Sequence, residues 1–114
     1  MSVSFGGLGE EFATFETYGT ISAGMPVKMY GNGKVQACAD GERFIGIAVD
    51  AAEDGCASVQ MKGYAELPYS GTAPAVGIVK IAAAAGSKVK VNDAGGEYIA
   101  VTVDTVGGKV GIIM

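Results

Sequence analysis

A short segment that nearly recurs constrains this chain more than any other feature. Ala23-Gly24-Met25-Pro26-Val27-Lys28-Met29 returns as Ala85-Gly86-Ser87-Lys88-Val89-Lys90-Val91, with alanine, glycine, valine and lysine at matching offsets. A glycine-containing turn follows each copy, Gly31-Asn32-Gly33 in the first and Asn92-Asp93-Ala94-Gly95-Gly96 in the second. Each copy then runs into a strand-like segment, Lys34 to Ala37 and Tyr98 to Val103, and a Gly-Ile pair follows at Gly46-Ile47 and Gly111-Ile112. Two copies are too few for a solenoid, which needs about three units to bury a continuous core. The pattern predicts one β domain containing two related hairpin units.

The rest of the chain agrees with a β reading from Glu16 onward. Thr17 to Ile21 is rich in β-branched and aromatic residues, and Val27 to Tyr30 and Lys34 to Ala37 flank an Asn-Gly turn, a strong hairpin signal. Phe44 to Val49 reads as a buried strand, and Cys56 to Met61 as a strand with Ala57, Val59 and Met61 on one face. Tyr64 to Tyr69 carries Pro68, which suggests a strand end or an edge. Val76 to Ile81, Ser87 to Val91, Tyr98 to Asp104 and Lys109 to Ile113 complete the set, with Ala82 to Ala85 predicted as one helical turn ended by Gly86. Short strands at roughly 8–12-residue spacing, parted by glycine turns, predict an all-β fold: a small barrel, tulip or sandwich.

Residues 1–14 differ. Met1 to Gly9 holds three glycines, two serines and no charge, and neither strand nor helix periodicity runs through it. The expectation is a flexible N-terminal arm over residues 1–14 bearing Phe5, Leu8 and Phe12, with Phe15 at its end, followed by a single β domain over residues 15–114. Two roles are open for its aromatics: tucking against the barrel, or ordering on a partner surface.

Composition excludes several function classes. The 19 glycines among 114 residues fall between apolar runs, as turn formers do. Charged residues make up 18%, against about 25% in an average domain, while apolar residues make up 49%. Such a surface predicts burial against other subunits. The net charge is −4 and the eight basic residues are scattered, so no basic stripe exists to neutralise nucleic-acid phosphates. No stretch approaches the roughly 20 apolar residues of a membrane span, and the N-terminus lacks the pattern of a signal peptide. Synthesis and use on the cytoplasmic side are expected.

Catalytic and metal-binding signals are weak. With no histidine, Cys38 and Cys56 make neither a four-ligand Cys/His zinc site nor a Cys-His catalytic pair. They are expected to be small, buried and reduced, a disulfide being the other possibility. Gly6-Gly7-Leu8-Gly9 lacks the strand, helix and lysine of a phosphate loop. Asp50, Glu53 and Asp54 do not have calcium-loop spacing, and Glu10, Glu11 and Glu16 sit at or near the expected mobile arm. No cofactor and no catalytic residue is expected. Lys28 and Lys90 hold equivalent places in the two copies, as does a presented lysine in small biotinyl or lipoyl carrier domains; equivalent strand lysines more commonly guard a solvated edge. Met61-Lys62 lies near a turn but has no acidic neighbour.

Taken in order, Ala23-Gly24 with Val27-Lys28-Met29, Phe44-Ile45-Gly46-Ile47-Ala48, Gly55 to Val59, Lys62-Gly63-Tyr64-Ala65-Glu66 and Ala85-Gly86 with the second strand pair resemble the small head decoration, or capsid cement, proteins of tailed bacteriophages and prophages. The resemblance covers roughly residues 20 to 114 and rests on patterns of small residues. It implies a β-tulip or barrel, frequent trimers, no catalytic residues, and an N-terminal arm that orders on the shell, here Phe5, Leu8, Phe12 and Phe15. The expected function is that of a non-enzymatic virion protein, made in the bacterial cytoplasm, which binds major capsid protein on the capsid surface and stabilises the shell. The rivals are a small β carrier or enzyme-accessory domain, and a fibre- or receptor-associated virion module.

Overall fold

Alternation of inward apolar and outward polar side chains turns this chain into strands, and glycine-rich turns fold the strands into two units. A computed structural model describes residues 9–50 and 55–114, and among them there is no helix. The first unit is a closed five-stranded barrel of β1 (Glu11–Thr17), β2 (Pro26–Gly31), β3 (Lys34–Ala37), β4 (Gly46–Ala48) and β5 (Cys56–Lys62), in the order β1-β3-β2-β4-β5. The second is a five-stranded sheet of β6 (Tyr64–Pro68), β7 (Gly77–Ala84), β8 (Lys88–Val91), β9 (Gly96–Asp104) and β10 (Lys109–Ile113), in the order β6-β10-β9-β7-β8. A parallel bridge from Tyr69 to Val89 draws the two ends of this sheet together. The fold is all-β, as the strand signals predict.

Two clusters form the core. Val27, Val35, Ala48 and Val59 fill the barrel with no exposed surface. Ile81, Ala83, Val89, Ala100, Val110 and Ile112 fill the second unit, joined by Phe44 and Ile47 from the barrel side. The Phe44 ring stacks on Tyr98 with centroids 5.2 Å apart, and the Tyr98 hydroxyl donates to the Phe44 carbonyl at 3.3 Å. Fully burying each Val or Ile contributes about 1.5–3 kcal/mol, and the shared aromatic contact makes the units one packed body.

The first repeat copy forms the expected hairpin, β2 against β3. Gly33 takes φ 69° while Asn32 keeps a negative φ, and the register shifts between Met29 and Gly31. The turn therefore uses one left-handed glycine and a bulge rather than two left-handed residues. The second copy does not repeat this arrangement. β8 pairs with the preceding strand β7 through the Ala85-Gly86-Ser87 turn, and β9 pairs with β7 and β10. Both β8 and β9 reach Ile81, from opposite edges of β7. The chain between them crosses β7 there: a Cβ on Gly95 would collide with the Ile81 carbonyl. The two copies share sequence but not pairing, and the expectation of matched hairpin units is corrected.

Three further expectations change. Ala82 to Ala84 belong to β7 rather than to a helical turn. Their small side chains let this end of β7 be buried between two neighbours, β8 along one edge and along the other the turn after β3, where the Gly41 N–H donates to the Ala83 carbonyl and the Ala83 N–H to the Glu42 carbonyl, each at 2.8 Å. Residues 11–14, expected in a flexible arm, lie in β1 and pair with β5. Phe12 points outward and Phe15 inward, so the two aromatics mask the alternation that would have revealed the strand. Conversely, residues 18–21, expected in a strand, follow the end of β1.

Candidate interaction surface

The β5–β6 crossover fixes one corner of the molecule. Gln60 is buried, and its Nε2 donates to the carbonyls of Lys62 at 3.2 Å and Tyr64 at 3.0 Å, tying down the intervening Gly63. Gly63 takes φ 106°, and a Cβ there would lie 2.8 Å from the Glu10 Cγ. Its carbonyl accepts from the Met114 N–H at 2.9 Å. The start of β1, the crossover and the C-terminal residue therefore meet at one place.

From this corner an apolar row crosses the outer face of the second sheet. The register sets Tyr64 of β6 opposite Ile113 of β10, Ile113 opposite Ile99 of β9, and Ile99 opposite Ile78 of β7. Their neighbours Ala65, Ile112 and Ala100 are buried and Val79 packs against the core, so the row occupies the side facing away from the core. Ile78 is 77% exposed and Ile99 47%. The Tyr64 ring lies across Gly111, where any Cβ would strike its hydroxyl, and that hydroxyl sits 3.4 Å from Thr102 Oγ1. An aromatic side chain covering a cross-strand glycine holds the register of such a pair. A groove of about 470 Å³ runs beside the row, lined by Ile78, Glu97, Tyr98, Ile99, Ile113 and Met114.

The residues singled out from sequence are distributed differently. Phe5 and Leu8 lie outside the described residues. Phe12 is half-exposed opposite Gln60, and Phe15 packs on the barrel core opposite Ala57. Phe15 is thus a core contact and Phe12 an exposed one, and the two face opposite ways. Of the acidic loop, residues 51–54 lie outside the described residues. Glu11 pairs with Lys62 at 3.9 Å and Glu16 with Lys34 at 4.0 Å, as exposed ion pairs. Among the described residues no cluster of acidic and cysteine side chains is placed to hold a metal.

The two repeat lysines have a role that neither sequence reading gave them. Lys28, from the barrel, pairs with Glu42, and Lys90, from the second sheet, pairs with Asp40 at 2.7 Å. Both grip the single turn Asp40-Gly41-Glu42, which also bonds the edge of β7. A hydrogen bond from Lys90 holds the Asp40 carboxyl below its usual range, assisted by the Ala85 N–H; Lys28 and then the Ala39 N–H do the same for Glu42. Tied down in this way on opposite units, neither lysine is presented at a hairpin tip as a carrier lysine is. Cys38 and Cys56 are both free thiols, in keeping with the reduced state expected of them, but the expected burial is corrected: neither is fully buried. Burial, with Glu42 nearby, pushes the Cys38 thiol up to about 11, while Cys56 is exposed at the barrel end.

The apolar row escaped sequence reading because Val76 to Ile81 and Lys109 to Ile113 read as strands with no face assigned to either side. The available signal was parity: Ile78 and Ile81 are three residues apart, and Ile112 and Ile113 are adjacent, so one of each pair must face outward.

No family model matches the chain, and no curated protein matches it. Among solved structures the chain is similar to the N base of the head fiber gp8.5 of bacteriophage phi29. The match has a TM-score of 0.63 and covers 92% of this chain and 93% of the other at 14% identity. At that identity the likeness is one of fold: the barrel and second sheet together follow the architecture of a phage head fiber base.

Proposed function

We propose that this chain is a non-enzymatic structural protein of a tailed-phage head, which binds the assembled shell of major capsid protein and stabilises it from the outer surface. The observation that carries this reading is the end-to-end fold likeness to a phage head fiber base. The resemblance of residues 20–114 to head decoration proteins supports the same reading. Stabilisation acts by mass action: a protein that binds only the assembled lattice stabilises it by about 2.7 kcal/mol per site at a hundredfold excess over Kd. Grouping copies, with a trimer the preferred number, adds avidity to individually weak contacts. The N-terminal segment with Phe5, Leu8 and Phe12 is the proposed shell contact.

The same fold likeness favours a second reading, in which the chain is the base of a head fiber. A cement protein protects heads on its own, whereas a fiber base needs no such effect. Heads of the encoding phage, prepared without the chain, would be incubated with purified protein, pelleted, and challenged by heat and low salt. The cement reading expects the protein to pellet with heads and raise their survival. Pelleting without protection favours the fiber base, and no pelleting at all rejects both.

A further inference from the structure

Two tyrosines lie face to face on the outside of the barrel. The ring centroids of Tyr18 and Tyr30 are 3.9 Å apart, the planes are within 11° of parallel, and each residue is about half exposed. We propose that the pair is an oxidative cross-linking site: a haem peroxidase with hydrogen peroxide joins the two rings as dityrosine within one chain, and the link locks the seam at which the barrel closes. The inference goes beyond the head-protein reading and does not depend on it.

The position follows from the strand order, in which β3 lies between β1 and β2. β5 holds β1 from Glu11 to Glu16, but β3 meets it in parallel only where Glu16 faces Lys34 and Thr17 faces Val35. The short parallel contact is the weaker side of β1. Tyr18 leaves the end of β1 still bound to β3, its N–H donating to the Val35 carbonyl at 2.9 Å. Tyr30 comes from β2 at the register shift between Met29 and Gly31, where it has no partner on β3. A bulge of this kind re-aims a side chain, and here it brings the Tyr30 ring onto the Tyr18 ring. A bond between them ties the end of β1 to β2 across the intervening strand.

The geometry also suits the chemistry. A phenol that loses an electron and its proton becomes a phenoxyl radical, with spin on the ring carbons beside the oxygen. Two such radicals join through p orbitals that stand perpendicular to the rings, so stacked rings are in the productive approach. A hydrogen bond between the two hydroxyls, which holds the Tyr30 hydroxyl above its usual range, turns both to the same end and sets those carbons against each other. A carbon–carbon bond forms there, and the hydrogen on each joined carbon moves to its own phenolic oxygen. The two electrons and two protons given up reduce one hydrogen peroxide to two waters. The stack of Tyr98 on Phe44 cannot react in this way, because Phe44 has no hydroxyl. The chain has no tryptophan to divert the oxidant.

The full chain in dilute solution, with the exposed Cys56 first blocked by iodoacetamide so that it does not quench the radicals, would be treated with a haem peroxidase and hydrogen peroxide. Dityrosine fluorescence, intact mass and peptide mapping read the product. It should keep the 11.4 kDa of one chain less two hydrogens and join the peptides that carry Tyr18 and Tyr30. It should melt about 10 °C above the blocked but unlinked chain, because closing the loop from Tyr18 to Tyr30 constrains the unfolded state. Tyr18→Phe and Tyr30→Phe each keep a ring to stack but lose one radical, and each should lower the yield at least tenfold, while Tyr64→Phe and Tyr69→Phe leave it unchanged. The proposal is overturned by the absence of a link, by links that map to other tyrosines or form only between chains, and by a yield that either phenylalanine variant leaves intact. A linked chain that melts no higher than the unlinked one overturns the seam lock.

Discussion

Two isoleucines on one strand provide a sharp test of the register. Ile81 of β7 has no exposed surface, while Ile78, three residues earlier, is 77% exposed. Replacing Ile81 by alanine removes three carbons from the second core, about 0.8 kcal/mol each in transfer energy. The cavity left between β8 and β9 adds to this, which gives about 3.5 kcal/mol, inside the range of about 2–5 for such substitutions. Unfolding entropy of about 2.1 cal/mol/K per residue, over 114 residues, converts that loss into a fall in melting temperature of about 15 °C. Ile78→Ala loses little burial and some strand preference, together below about 1 kcal/mol, or about 4 °C. Both variants would be melted by circular dichroism, with urea midpoints as a check. Equal losses at the two positions would refute the assignment of inward and outward faces on β7, and the apolar row with it.

Three other outcomes follow from the geometry. Asp40 and Glu42 have carboxyl pKa values lowered by their lysine partners, so their contribution to stability is complete above their unfolded values of about 4 and is lost as pH falls through the lower folded values; calorimetry should show a melting temperature that drops below about pH 4, with a smaller drop in Asp40→Asn/Glu42→Gln, and an equal drop would place the acid sensitivity elsewhere. With its thiol raised to about 11, Cys38 should react with iodoacetamide at pH 8 far more slowly than the exposed Cys56, and peptide mapping that finds Cys38 labelled first would contradict its burial. Deleting residues 1–8 should leave the melting temperature within about 2 °C while weakening head binding at least tenfold, whereas deleting residues 1–14 should also destabilise the barrel, because it removes the pairing of β1 with β5; undiminished head binding by the shorter deletion would reject the arm as a shell contact.

Strand content and turn positions were legible in the sequence because glycine, asparagine and β-branched residues act locally. β2 ends at Gly31 and Gly33 turns the chain where the Asn-Gly signal placed a turn, and Cys56 to Met61 is a strand with Ala57 and Val59 inward. Beyond the β2–β3 hairpin, pairing partners were not legible. The two repeat copies look alike along the chain, yet Gly95 carries the second across the backbone of β7, a long-range crossing that no local pattern encodes. The lysine clamp was half visible: Lys28 and Lys90 were marked as equivalent, but their common target, the Asp40–Glu42 turn, is remote from both in sequence. β1 was missed because Phe12 and Phe15 lie on opposite faces, and the outer apolar row because each of its strands also feeds the core. A strand that is apolar on both faces looks the same whether its second face meets the core or a partner.

Whether the chain seats on an assembled phage head is decided most directly by electron cryomicroscopy of heads made without it, imaged before and after purified protein is added. The account predicts new density at symmetry-related positions on the outer surface of the shell, into which the barrel and second sheet fit as one body. Heads that look identical before and after addition of protein in large excess would contradict it.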